Sequence, residues 1–137
     1  MTSPSEGSPQ TEAVILVVDD DDLLRRMLEM YLSRRRYKVF TASSADQAME
    51  IAQREKDTPI DLLITDIGIP GADGFELARR FEKLIPNARF LFLSGSLQQE
   101  FQLTEKPAGA WQFLKKPCAP SEVGEVVRNL LSNGRAP

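Results

Sequence analysis

The chain has 137 residues, 42% hydrophobic and 27% charged, which suits one compact domain and argues against intrinsic disorder. Its formal net charge of −3, from 17 basic and 20 acidic residues, gives no general electrostatic reason to bind nucleic acid directly or to bind an anionic membrane. A single cysteine, Cys118, excludes an internal disulfide framework, and the absence of histidine excludes a Ser-His-Asp triad or a histidine-ligated metal within this chain. With no apolar run of membrane-spanning length and no secretion signal, a cytoplasmic protein is expected.

Residues 1–12 are rich in Ser, Pro, Gly and Thr and read as a mobile tail or linker. The run Ala13 to Val18 is continuously apolar and β-branched, as expected of a strand covered on both faces. A helix follows, with Leu24, Leu28, Tyr31 and Leu32 on one stripe. Lys38 to Ala42 reads as a second strand, and Ser44 with Gln47 forms a capping-box pattern ahead of a helix carrying Ala48, Met49 and Ala52. Asp61 to Thr65 reads as a third strand ending at Asp66.

After a Gly/Pro loop, Asp73 and Glu76 are placed to cap a helix that turns Leu77, Ala78, Phe81 and Ile85 inward. Arg89 to Leu93 forms a fourth strand, and Leu97 to Leu103 reads as a weak helix closed early by Pro107 and Gly109. Trp111 to Lys115 is a fifth strand. Pro120 opens a last helix with Val123, Val126, Val127, Leu130 and Leu131 at helical spacing. The expected domain spans 13–131, with a short polar tail at 132–137.

Five βα units of this size predict an α/β fold: a flavodoxin-like doubly wound sheet of five parallel strands in the order 2-1-3-4-5. Ligands of such sheets bind beyond the carboxyl ends of the strands. There the sequence places Asp19 and Asp20 after strand one, Asp66 after strand three, Ser94 after strand four and Lys116 after strand five. Converging carboxylates repel, and a divalent cation relieves that repulsion. Oxygen-only ligands favour Mg²⁺, with Mn²⁺ as its substitute. Lysine and serine complete a site for a tetrahedral anion, so Asp66 is placed to act as a nucleophile towards phosphorus.

Asp21, Asp22 and Asp73 read instead as helix caps, and Lys115 as a solvated neighbour of Lys116. The Arg34-Arg35-Arg36 cluster reads as charge bias at a helix C-terminus.

These residues, taken together, resemble the response-regulator receiver domain (CheY-like) of two-component signal transduction, over nearly all of 13–131. Val17-Val18-Asp19-Asp20 resembles the acidic pair that holds Mg²⁺. Asp66, with Pro70, Asp73 and Gly74 behind it, matches the phosphoacceptor and its loop. The resemblance implies that the backbone carbonyl of Gly68 joins the metal site. It also implies that Lys116, followed by an often cis Pro117, contacts the phosphoryl group, and that Ser94 and Phe113 form the switch. Phenylalanine replaces the commoner tyrosine there, so no phenolic OH is available.

The implied function is that of a phosphoacceptor, not a turnover enzyme. A histidine kinase or histidine phosphotransfer protein would supply the phosphoryl group, and an unidentified downstream protein would read it, with the chain as monomer or weak dimer. The alternative is a protein-binding module that signals without phosphorylation. A haloacid-dehalogenase type of phosphatase fits poorly, because its Asp-x-Asp-Gly/Thr pattern is not met: Asp19-Asp20-Asp21-Asp22 runs straight into Leu23-Leu24.

Overall fold

A computed structural model describes residues 13–69, 72–95 and 107–133. The sheet strands are β1 (Val14–Val18), β2 (Lys38–Ala42), β3 (Leu62–Asp66), β4 (Arg89–Ser94) and β5 (Trp111–Lys115). The helices are α1 (Asp22–Arg34), α2 (Ala45–Arg54), α3 (Gly74–Leu84) and α4 (Pro120–Asn133). All neighbouring strands pair in parallel, in the order β2-β1-β3-β4-β5. This is the doubly wound order expected from the sequence.

Alternation within each strand divides the core in two. Val14, Leu16 and Val18 face the layer formed with α2 and α3, where Ile51, Leu77 and Phe81 are buried. Ile15 and Val17 face the layer formed with α1 and α4, around Leu28, Leu32, Val123 and Val127. All five β1 residues are buried, hence the unbroken apolar run. Fully burying one such aliphatic side chain is worth about 1.5–3 kcal/mol, so the sheet is anchored from both faces.

Local signals set the helix ends. Asp21 caps α1, its Oδ1 accepting from the N–H groups of Leu23 and Leu24 at 3.0 and 3.2 Å. Asp22 is the first helical residue rather than a cap, and it pairs with Arg25 at 2.6 Å. Ser44 accepts from the Gln47 N–H, but Gln47 Oε1 reaches the Ser43 N–H at 2.7 Å and not that of Ser44, so the capping box closes one residue early. Asp73 caps α3 through the Glu76 N–H. Beyond α1, Arg36 adopts a left-handed conformation with φ of 73°.

Two sequence expectations shift. The Gly/Pro loop after Asp66 contains a small antiparallel ribbon, in which Gly68–Ile69 pairs with Ala72–Asp73. The last helix runs to Asn133, two polar residues past Leu131, where its apolar spacing ends. The helix expected over Leu97 to Leu103 lies outside the described residues. Among those described, no helix is long and apolar enough to cross a membrane.

Candidate functional site

The strand order reverses between β1 and β3, and the residues that close these two strands share a crevice. Asp19 follows β1 and is fully buried, which is unusual for a carboxylate without partners. Its Oδ1 accepts from the Asp21 N–H at 2.9 Å, and its Oδ2 accepts from Lys116 Nζ at 3.1 Å. Asp66 closes β3, its side chain 16% exposed, and its Oδ2 lies 3.3 Å from the same Nζ. Asp20 is exposed beside them. Carboxylate oxygens of Asp19, Asp20 and Asp66 all lie within 4.8 Å of one another.

Lys116 reaches these groups from the far strand. Its backbone N–H donates to the Ser94 carbonyl at 2.7 Å, which ties the segment after β5 to the end of β4. The Lys116–Pro117 peptide bond is cis. Ser94 is fully buried at the end of β4, and Gly95 beyond it is exposed. Gly68 is exposed in the ribbon, and a side chain there would meet nothing within 4 Å.

The electrostatics follow from burial and pairing. Burial pushes the Asp19 carboxyl above its ordinary 3.8; the Asp21 N–H and Lys116 pull it back, and the Asp66 charge raises it again. Burial alone would lower the Lys116 ammonium, but Asp19 and then Asp66 more than offset this and hold it above 10.5. Lys116 is therefore firmly charged at neutral pH and compensates two carboxylates at once.

The donor set fits a hard divalent cation. Three carboxylates offer oxygen alone, with no thiolate or imidazole among them, which favours Mg²⁺ over softer metals.

Phe113 turns inward from β5, half-buried. Its ring lies 5.4 Å from that of Phe92, 6.0 Å from Phe75 at the start of α3, and 5.5 Å edge-on from Trp111. A continuous aromatic packing thus links the segment behind the Asp66 loop to the fifth strand. Sequence reasoning foresaw Phe113 here, but not Phe75 as its partner.

Two other features were missed. Arg25 donates through Nη1 to the Asp19 carbonyl at 2.8 Å and through Nη2 to Asp22, bracing the four-aspartate run from behind. The Asp22-to-Arg25 spacing of three helical positions was the available signal. On α1, Leu23, Met27 and Met30 are exposed at 67%, 42% and 56%. Leu23 and Met27, with Leu24, Pro117 and Cys118, line a shallow groove of about 440 Å³ beside Lys116.

Response regulator receiver domain is the family that matches, over residues 15–128. The chain belongs to this family. Its receiver fold is similar to chemotaxis protein CheY of Thermotoga maritima, 30% identical over 116 residues that cover 85% of this chain and 95% of that one. It is also similar to sensor kinase CckA of Brucella abortus, 30% identical over 87% of this chain but only 12% of the kinase. Among solved structures it resembles the chemotaxis response regulator CheY4 of Vibrio cholerae, with a TM-score of 0.76 and 28% identity over 88% of this chain and 99% of that one. The receiver spans about half or less of the length of several curated relatives that it matches.

Proposed function

We propose that Asp66 is the phosphoacceptor of this receiver domain and that a partner phosphohistidine is the donor. The observation that carries the reading is Lys116 Nζ standing within hydrogen-bond reach of both Asp19 Oδ2 and Asp66 Oδ2, from residues 97 and 50 positions away. Such a meeting of distant residues is not needed for packing. It draws a cation and a cluster of carboxylates to one crevice at the strand ends.

In the reaction, a carboxylate oxygen of Asp66 attacks phosphorus; the new O–P bond forms as the N–P bond to the imidazole breaks. The leaving imidazole takes the electron pair and a proton from solvent. Asp19 and Asp20, with Asp66 and the Gly68 carbonyl, would hold Mg²⁺, which when bound supplies charge neutralisation at the phosphoryl oxygens. Lys116 holds Asp66 in place before transfer and faces the phosphoryl oxygens after it. Catalysis of this kind is largely positioning and charge compensation.

Ser94 and Phe113 form the responsive element. The Ser94 hydroxyl would favour the phosphorylated arrangement by hydrogen bonding, and Phe113 would follow within its aromatic contacts. Differential contacts of this sort are what a two-state switch requires. The chain takes up one phosphoryl group and passes on a change in protein contacts, without turning over a substrate.

The test is incubation with acetyl phosphate and Mg²⁺, followed by intact-mass measurement. A gain of one phosphoryl group is expected, abolished by Asp66→Asn and by chelation. Equal labelling of the Asp66→Asn variant would refute the assignment. No labelling and no Mg²⁺ binding in the wild type would instead favour a receiver that signals without phosphorylation.

A further inference from the structure

The peptide that follows the Asp66 side chain is gripped from two sides. Thr65 is fully buried, and its register partners are Val18 on β1 and Phe92 on β4, both members of the apolar layer facing α2 and α3. Valine would fill this volume with no polar atom. A hydroxyl here carries a desolvation cost unless it is paired. It is paired: Thr65 Oγ1 donates to the Asp66 carbonyl oxygen at 2.8 Å.

The same oxygen meets Gly74 from the other direction. A Cβ at position 74 would stand 2.6 Å from the Asp66 carbonyl oxygen, closer than a side chain allows, and a tight 3.1 Å from Ile67 Cα. The Gly74 N–H donates to the Ile67 carbonyl at 2.7 Å, and the Ile67 N–H donates to Leu93. The first turn of α3 therefore rests directly on the backbone that carries the acceptor.

We propose that Thr65 is a positioning residue for Asp66, its hydroxyl fixing the Asp66 carbonyl against the bare Gly74 backbone and so aiming the carboxylate. The proposal rests on the reading of Asp66 as phosphoacceptor. Without that donor, the Asp66–Ile67 peptide is still held at its Ile67 N–H by Leu93, but its carbonyl end can tilt. The carboxylate, three bonds away through Cα and Cβ, then samples positions outside the reach of Lys116.

The decisive comparison is Thr65→Val against Thr65→Ser, the first removing the hydroxyl at nearly constant volume and the second keeping it. A misplacement of 1 Å costs on the order of 10²-fold in rate, so a partial loosening should slow acetyl phosphate labelling of Thr65→Val by about tenfold at saturating Mg²⁺, with Thr65→Ser close to wild type. The urea midpoint of Thr65→Val should change little, whereas a merely structural role would move the midpoint and leave the rate alone. In carbon-13 spectra, both the backbone carbonyl and the side-chain carboxyl resonances of Asp66 should shift in Thr65→Val and return in Thr65→Ser.

Labelling of Thr65→Val at the wild-type rate overturns the proposal. Should wild type itself resist labelling, the acceptor reading fails and the spectra decide the positioning role alone. Coupled movement of the two Asp66 resonances then supports it, and a still carboxyl resonance refutes it.

Discussion

Replacing Lys116 by methionine removes the one charge that compensates the buried Asp19 carboxylate while keeping the length of the side chain. At 3.1 Å and an effective dielectric constant of about 20, the gross attraction between this pair is about 5 kcal/mol. Desolvation offsets much of it. Removing one member of a fully buried pair typically costs about 3–5 kcal/mol, and the Lys116 side chain is 25% exposed, so water screens part of the loss. A net destabilisation of about 2 kcal/mol at pH 7 is expected, which lowers the urea midpoint by about 1 M.

The pH dependence gives the test its specificity. A carboxyl whose folded-state pKa lies above its unfolded value favours the fold below the unfolded value and loses that contribution as pH rises through the folded value. Asp19 is such a group, and losing Lys116 drives it further upward. The deficit of Lys116→Met should therefore shrink as the pH falls from neutral towards the ordinary 3.8, because Asp19 takes up its proton above that value. Lys116 itself has a raised pKa, so in wild type its contribution persists below 10.5 and fades as the pH climbs through its folded value. Urea titrations with chelator present, across this range, measure both limbs. A variant as stable as wild type at pH 7, or a deficit independent of pH, would refute the compensation of Asp19 by Lys116.

Other outcomes follow from local geometry. Asp21→Ala should cost about 1 kcal/mol by uncapping α1, yet retain acetyl phosphate labelling, because its carboxylate stands outside the Asp19, Asp20 and Asp66 cluster; thermal melts and intact mass read the two effects. Arg36→Gly should stabilise the protein by roughly 0.5–1 kcal/mol in urea titrations, since a left-handed residue after a helix favours glycine. Burial, followed by the Glu122 charge, holds the Cys118 thiol above its ordinary 9.0, so iodoacetamide at pH 8 should modify the native protein more slowly than the urea-unfolded chain. Equal rates would place Cys118 in open solvent.

Much of this molecule was legible in its residues. The unbroken run from Val14 to Val18 announced a strand covered on both sides, and Asp19, Asp20, Asp66, Ser94 and Lys116 could be placed at strand ends from pattern alone, whereas Gly68 and Phe113 came from the resemblance. Caps at Asp21 and Asp73 obeyed short-range rules that a sequence displays directly. What escaped was set by contacts between distant elements. The grip of Thr65 and Gly74 on the Asp66 peptide, and the seating of Phe75 against Phe113, depend on how α3 lies on the sheet. The outward-facing Leu23 and Met27, off the stripe of Leu24, Leu28, Tyr31 and Leu32, depend likewise on the orientation of α1.

The reach of Lys116 to Asp19 joins the last strand to the first, across 97 residues of chain. A ribosome-bound fragment that ends before β5 would carry the acidic crevice without the ammonium that, among the described residues, pairs with Asp19 and Asp66. The crevice of the receiver is thus complete only when its fifth strand joins the other four. A receiver clipped before β5 would keep Asp19, Asp20 and Asp66 together and lose the ammonium that meets two of them.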